Sequence, residues 1–211
     1  MVKKTKQEKS IFFDQKEYEK IRQASDNAII EMVQKGMSDS FREIEKRYQK
    51  KLFVYVYHLL GNKEETEDIL QNVFVKTFNN IDRFDIKRKF SSWIYRIAHN
   101  ESVNYLKRKS KRRLVSWEDV STSKDKLETS SDEESPDDLW LKKELRRDVQ
   151  DALDKIPQKY REVLVLRYFL NKTYDEMSDI LGKPANTIGT LLNRAKKKLS
   201  QVIKKADSSN E

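Results

Sequence analysis

The chain has 211 residues, of which 37% are charged, and its 44 Lys and Arg outweigh 35 Asp and Glu to give a formal net charge of +9. That length allows one or two small domains, and with only 4 glycines and 3 prolines the chain favours long helices over a many-turned sheet. The lack of cysteine excludes disulfides, zinc fingers and thiol chemistry, while the absence of a bilayer-length apolar run or a signal-peptide core predicts a cytoplasmic protein without membrane insertion.

Residues 1–24 are polar and Lys-rich and read as a mobile basic arm, with room for a short helix. Helical periodicity starts near residue 25. Phe41, Ile44, Tyr48, Leu52, Tyr55 and Leu59 recur at three and four residues, which predicts one face of an amphipathic helix ended by Gly61. Asn62 with Glu65 has the spacing of a capping box, and the helix it opens buries Ile69, Val73, Thr77 and Ile81. A basic loop, 85–90, leads to a helix over 92–110 that Ser91 or Ser92 can cap and that runs out through Lys107, Arg108, Lys109, Lys111, Arg112 and Arg113.

Composition then reverses. Residues 116–138 hold nine acids against Lys124 and Lys126, with few large apolar side chains, so 114–138 reads as a disordered acidic linker between two units. Periodicity returns with Leu145, Val149, Ala152, Leu153 and Ile156. Pro157 suits the first position of the next helix, which carries Tyr160, Val163, Leu164 and Arg167. Thr173 and Glu176 form a second capping-box pattern ahead of an apolar stripe of Tyr174, Met177, Ile180 and Leu181, and Gly182 breaks the chain before a helix over 184–205. Two helices about a tight glycine turn describe a helix-turn-helix. On the second of them Ile188, Leu192, Ala195, Leu199 and Val202 share one side, and Asn186, Thr190, Asn193, Arg194 and Lys197 share the other. The second set carries the groups that hydrogen-bond base edges and phosphates in a major groove.

On the helix over 92–110, Ile94, Ile97, Ala98 and Tyr105 make one stripe, and Arg96, Asn100, Val103 and Lys107 lie opposite. Trp93 and Asn104 border the second face. Cation, amide and aromatic together suit a base taken out of the duplex, with core packing as the other reading of Trp93. Glu101 falls on the apolar stripe and requires a partner.

TYDEMSDILGKPANTIGTLLNRAKKKL resembles the fourth conserved region of bacterial sigma factors of the extracytoplasmic-function (ECF) type. EDILQNVFVKTFNNIDRF followed by FSSWIYRIAHNESVNYLKRK looks like their second region. The resemblance implies an all-α protein of two small helical domains, 25–113 and 139–205, followed by a tail over 206–211. It also implies a sigma factor that binds core RNA polymerase and directs promoter recognition, DNA opening and initiation. Asp68, Gln71, Asn72 and Phe74 then fall on the surface that meets the clamp helices of the largest polymerase subunit. Lys87, Arg88, Trp93, Arg96, Asn100 and Lys107 fall on the minus-ten reader. Lys183, Asn186, Thr187, Thr190, Asn193, Arg194 and Lys197 fall on the minus-thirty-five reader. The linker falls on the segment that passes through the polymerase cleft, and an anti-sigma factor is a further partner that the resemblance admits. Asn72 stands where the family usually has Glu, Asn104 where it has Asp, and Asn186, Gly189 and Leu191 where it has Gly, Lys and Arg. Asn171 replaces a common Gly and tolerates the same left-handed backbone.

The competing reading is a helix-turn-helix regulator that acts without being a polymerase subunit; a second basic face in the N-terminal unit argues against it. An enzyme is disfavoured. His58 and His99 are the only histidines, no phosphate-binding glycine motif is present, and neither a catalytic residue, a metal ligand set nor a cofactor is expected.

Overall fold

In a computed structural model of the protein, residues 15–115 and 149–207 are described, and the acidic linker expected at 114–138 lies almost entirely outside them. The described residues are all-α and contain no strand. The elements are α1 (Gln15–Gln23), α2 (Asp26–Gln34), α3 (Phe41–Leu60), α4 (Lys63–Asn79) and α5 (Phe90–Val115), then α6, described over 149–154, α7 (Gln158–Leu164), α8 (Tyr174–Leu181) and α9 (Ala185–Asp207).

The first five helices form one packed unit. The stripe Phe41, Ile44, Tyr48, Leu52, Tyr55 and Leu59 is buried on α3 as the periodicity predicts. Each aliphatic member removed from water contributes about 1.5–3 kcal/mol before ordering costs. The described part of the segment expected as an N-terminal arm holds the short helix allowed for it. From Gln15 onward it is helical, and Ile21 enters the core. Arg47 on α3 is the reason: its guanidinium donates to the carbonyls of Ile21, Arg22 and Ala24 and to Asp26. Tyr48 completes the clasp with a 2.5 Å bond to Asp26.

Gly61 closes α3 in the left-handed region at φ 72°, where a side chain would be strained. Asn62 accepts from the Glu65 amide at 2.8 Å. The expected capping box is only half made, because the Glu65 carboxylate pairs with Lys109 of α5. Glu101 finds the partner its position demands in Lys76 of α4, 2.6 Å away. Neither Ser91 nor Ser92 caps α5. The helix begins at Phe90, Ser92 is buried, and the Phe90 amide is accepted by Asn27 of α2.

In the C-terminal unit Pro157 sits one residue earlier than expected, at the N-cap of α7. The helix then widens into a π-helical turn over Val165–Phe169, so Arg167 lies outside α7. Asn171 adopts φ 51°, the left-handed backbone foreseen for it. The Thr173–Glu176 capping box is complete, and Gly182 at φ 62° turns the chain from α8 into α9. Tyr174 departs from its predicted core place: it is 41% exposed, with Arg167 over its ring.

Candidate nucleic-acid and polymerase interfaces

α9 is sharply two-sided. Ile188, Leu192 and Ala195 are buried against the unit, and Asn186, Thr187, Thr190, Asn193, Arg194 and Lys197 are all exposed. The side that lacks apolar groups is the side left for a ligand. Thr190 spends its hydroxyl proton on the Asn186 carbonyl at 3.1 Å, leaving its oxygen to accept. Lys183 stands apart from this set. It is half-buried, and its ammonium lies 3.5 Å from Glu162, a carboxylate only 4% exposed that needs a cation beside it. Sequence reading missed a neighbouring group, Arg167 over Tyr174 and Lys196 over Tyr168. Both rings are exposed large apolar residues, and that excess of aromatic surface beside cations was the available signal.

On α5, Asn100, Asn104 and Lys107 are exposed along one line, and Val103 is half-buried. Trp93 is half-buried in an aromatic cluster, with ring centroids 4.9 Å from Phe84 and 5.8 Å from Phe90. The packing reading of Trp93 is thus met, and its partial exposure leaves the base-reading role open to test. Lys87 and Arg88 are exposed on the loop before α5, whose backbone is held by Asn27 and Gln34. Arg96 is occupied, its Nε donating to the Asp179 carbonyl of α8 at 2.5 Å.

On α4, Asp68, Gln71 and Asn72 are exposed and Phe74 is half-buried. The Asn72 amide is turned back onto the Asp68 carbonyl at 2.9 Å. Beside them Phe41, Arg42, Gln71, Phe74, Val75 and Phe78 line an open groove between the start of α3 and the end of α4. Val75 is 58% and Phe78 40% exposed. Neither was singled out from sequence, yet with Gln71 and Phe74 they continue a second three-and-four spacing around the helix from the core stripe.

The two units touch, and the contact takes up Arg96 of the candidate minus-ten reader. α5 packs against α8, Arg96 reaches Asp179, Lys89 pairs with Glu176 at 3.2 Å, and Lys172 covers the Tyr95 ring. Behind them His58 meets Gln150 at 2.6 Å, and Arg161 donates to the Leu59 carbonyl at 2.9 Å. His99 is at the centre. Its Nδ1 lies 3.0 Å from the Tyr55 hydroxyl and 3.9 Å from Glu162. Burial, helped by the charge of Lys183, pushes its pKa down to about 4.

This contact should therefore loosen in acid. The pKa of His99 is pushed from the ordinary 6.5 to about 4 in the docked form, and the part of that drop which exposure on undocking restores favours the docked form while both states are neutral. As pH drops through 6.5 the undocked state takes up the proton first, and the advantage, at most on the order of 2–3 kcal/mol, fades until about pH 4. Burial lowers the pKa of His58 as well and acts in the same sense. Glu162, raised by burial against the pull of Lys183, acts in the opposite sense above its ordinary 4.5. Two histidines against one carboxyl leave acid as the loosening direction. The cysteine-free chain accepts one dye on each unit, and energy transfer between Lys63→Cys and Lys198→Cys should fall between pH 6.5 and 5. His99→Gln should flatten that response; an unchanged response would remove His99 from it.

Among the described residues no group of histidines and acids could hold a metal ion, and no helix is long and apolar enough to cross a membrane. The family model "Sigma-70 region 2" matches residues 45–112, and "Sigma-70, region 4" matches residues 146–199. The chain is 34% identical over 177 residues to the ECF RNA polymerase sigma factor SigW of Bacillus subtilis (strain 168), covering 83% of this chain and 95% of that protein. The ECF RNA polymerase sigma-E factor of Escherichia coli (strain K12) is 28% identical, with coverage of 86% and 95%. The fold is shared with CnrH, solved in complex with the cytosolic domain of CnrY, at a TM-score of 0.63 and 22% identity over 85% of this chain and 97% of that one. It is shared equally with the sigma factor RpoE of Bartonella quintana, solved with the anti-sigma factor NepR, at 0.63 and 20% identity over 78% and 96%.

Proposed function

Because the chain belongs to the ECF sigma factors, which bind core RNA polymerase and direct it to promoters, we propose that its three surfaces divide that work. The face of α4 with Asp68, Gln71, Asn72 and Phe74, extended by Val75 and Phe78, binds the clamp helices of the polymerase. The loop with Lys87 and Arg88 and the α5 face with Trp93, Arg96, Asn100 and Lys107 hold the unpaired minus-ten strand. The exposed side of α9 enters the major groove at minus thirty-five. The chain supplies binding energy and no chemistry of its own, acts in the cytoplasm, and meets an anti-sigma factor, as the similar RpoE does with NepR. The domain bounds 25–113 and 139–205 and the acidic linker 114–138 belong to the same reading.

The observation that carries it is the pairing of two exposed polar faces, on α5 and α9, each backed by a buried apolar side of the same helix. The minus-ten and minus-thirty-five elements lie about 25 base pairs apart, roughly 85 Å of duplex. Two units in direct contact do not span that distance. The docked form seen here must therefore open before both elements are held, and opening releases Arg96 from Asp179 and Lys89 from Glu176.

Reconstituted transcription tests the reading. Added to core polymerase, the chain should confer initiation at discrete starts. Asn100→Ala should reduce the permanganate reactivity of unpaired thymines near minus ten by on the order of tenfold, the loss of one buried polar contact, while core binding persists. Normal opening by Asn100→Ala would remove this residue from the reader. Failure to initiate with core enzyme alone would favour a regulator that is not a polymerase subunit.

A further inference from the structure

The loop between α4 and α5 is exposed from Asp85 to Lys89, yet its backbone is tied down at both ends. Phe84 and Phe90 are 5% and 1% exposed and stack edge to face at 5.5 Å, so the loop leaves and re-enters the core at one place. Asp85 organises the first turn from within, accepting from the Lys87 amide at 3.0 Å through its side chain and from the Arg88 amide at 2.9 Å through its carbonyl.

What fixes the rest comes from α2. The Asn27 amide nitrogen donates to the carbonyls of Ile86 and Arg88, at 2.6 and 2.8 Å, and its oxygen accepts from the Phe90 amide at 3.3 Å. An amide has two N–H donors and an acceptor oxygen, and here both donors and the oxygen are used. Only this orientation of the amide satisfies two carbonyls and one N–H together. Seven residues further, and so on the same face of α2, Gln34 donates to the carbonyls of Ile81 and Phe84 at 2.8 and 2.9 Å. Two side chains of one helix thus hold five backbone groups along residues 81–90.

We infer that Asn27, seconded by Gln34, is a positioning residue for promoter selectivity: it sets the path of the loop from which Lys87 and Arg88 meet the minus-ten strand. The inference rests on the proposal that this loop reads that element. Asn27 touches no DNA itself. It acts by removing the freedom of the loop, so that the side chains discriminate bases from one fixed geometry instead of adapting to each.

The test is Asn27→Asp. The side chain keeps its shape and can still accept from Phe90, and a carboxylate in the first turn of α2 suits the helix dipole, so the helix is retained. The two donors are lost, and anionic oxygen faces two carbonyls. Holoenzyme carrying each variant is selected on a promoter library randomised at minus ten, and preference is read as base ratios among bound sequences, which does not depend on how much protein is folded. Asn27→Asp and Asn27→Ala should each flatten the preference by on the order of tenfold at the bases the loop reads. Core affinity and the preference at minus thirty-five should match the parent. Parental base ratios in both variants, with or without a lower yield of complex, would overturn the inference and leave Asn27 a purely structural residue. Lys87→Ala with Arg88→Ala is the companion arm. If that variant keeps parental ratios, the loop is not the reader and the inference falls with the reading. If it alters them while the Asn27 variants do not, only the inference falls.

Discussion

Val75→Glu should separate the protein from core polymerase, lowering affinity by on the order of a hundredfold, the cost of an unpaired charge forced into an interface. Val75 is 58% exposed on α4, so the change removes almost nothing from the core, and Glu is a better helix former than Val. Its neighbours in the groove, Phe74 and Phe78, supply aromatic surface of the kind that anchors interfaces, while Gln71, Arg42 and Asp39 supply a polar rim. Asp68→Ala with Gln71→Ala should weaken core binding less, because exposed polar contacts at a rim are individually small. Circular dichroism and binding to a minus-thirty-five duplex should be unchanged in both variants. Parental core affinity for Val75→Glu would take the groove out of the interface and return the assignment to Asp68 and Gln71 alone.

That groove also marks a limit of sequence reading. The core stripe of α4, with Ile69, Val73 and Thr77, announces itself because burial selects one side of a helix. Val75 and Phe78 sit off that stripe, and an apolar residue outside the core pattern is uninformative until neighbouring elements show that it lines a surface. The same holds for Asn27 and Gln34. An amide on an early helix carries no local sign that its partners lie some 50–60 residues away; only packing of α2 against the loop creates the bonds. Local chemistry was legible where it is local: the Thr173–Glu176 box, Gly61 and Gly182 at their helix ends, and Asn171 in its left-handed turn. It misled where a tertiary partner offered more. Glu65 left its cap for Lys109, and Ser91 and Ser92 gave way to Asn27 at the start of α5.

The contact between the two units was not legible, since Lys89, Arg96 and Glu176 look like solvated charges in sequence and nothing local pairs them. Arg96 and Lys183 show two kinds of prior engagement, the first across that contact and the second within the C-terminal unit. Both were expected to face DNA. Arg96 instead binds a carbonyl of the other unit, and Lys183 neutralises buried Glu162. For Arg96 the two roles are compatible in time, as an open form that released Asp179 would free the same guanidinium for DNA. For Lys183 they compete in one place: a phosphate at the start of α9 would have to share its ammonium with Glu162. Lys183→Ala therefore probes the fold as well as DNA contact, and Lys197 is the cleaner reporter of phosphate binding.

In a randomised minus-thirty-five library, Arg194→Ala should relax the preference at one position, at a cost on the order of 1–3 kcal/mol, and Lys197→Ala should weaken all sequences alike. The assignment follows from position on α9. Asn193 and Arg194 lie mid-helix on the exposed side, across from buried Leu192 and Ala195, where side chains can reach base edges. Lys197 lies a turn further on, toward a helix end that leaves the groove, where a cation meets the backbone. Asn186 and Thr187 stand in the first turn, where the helix N-terminus favours a phosphate, although the Thr187 amide itself is spent on the Pro184 carbonyl at 2.9 Å. Fewer side chains share the reading than in the family pattern. Leu191 packs against the core, and a side chain at Gly189 would meet the Tyr174 ring at 3.7 Å, so neither position reaches out. Preference should accordingly concentrate at the bases under Asn193 and Arg194, and Lys197→Ala should also flatten the dependence of affinity on salt by about one counterion. If Arg194→Ala loses affinity evenly while Lys197→Ala changes the preferred bases, the two roles are exchanged. If neither alters the selection, α9 does not read the element, and its exposed face must be assigned to another partner.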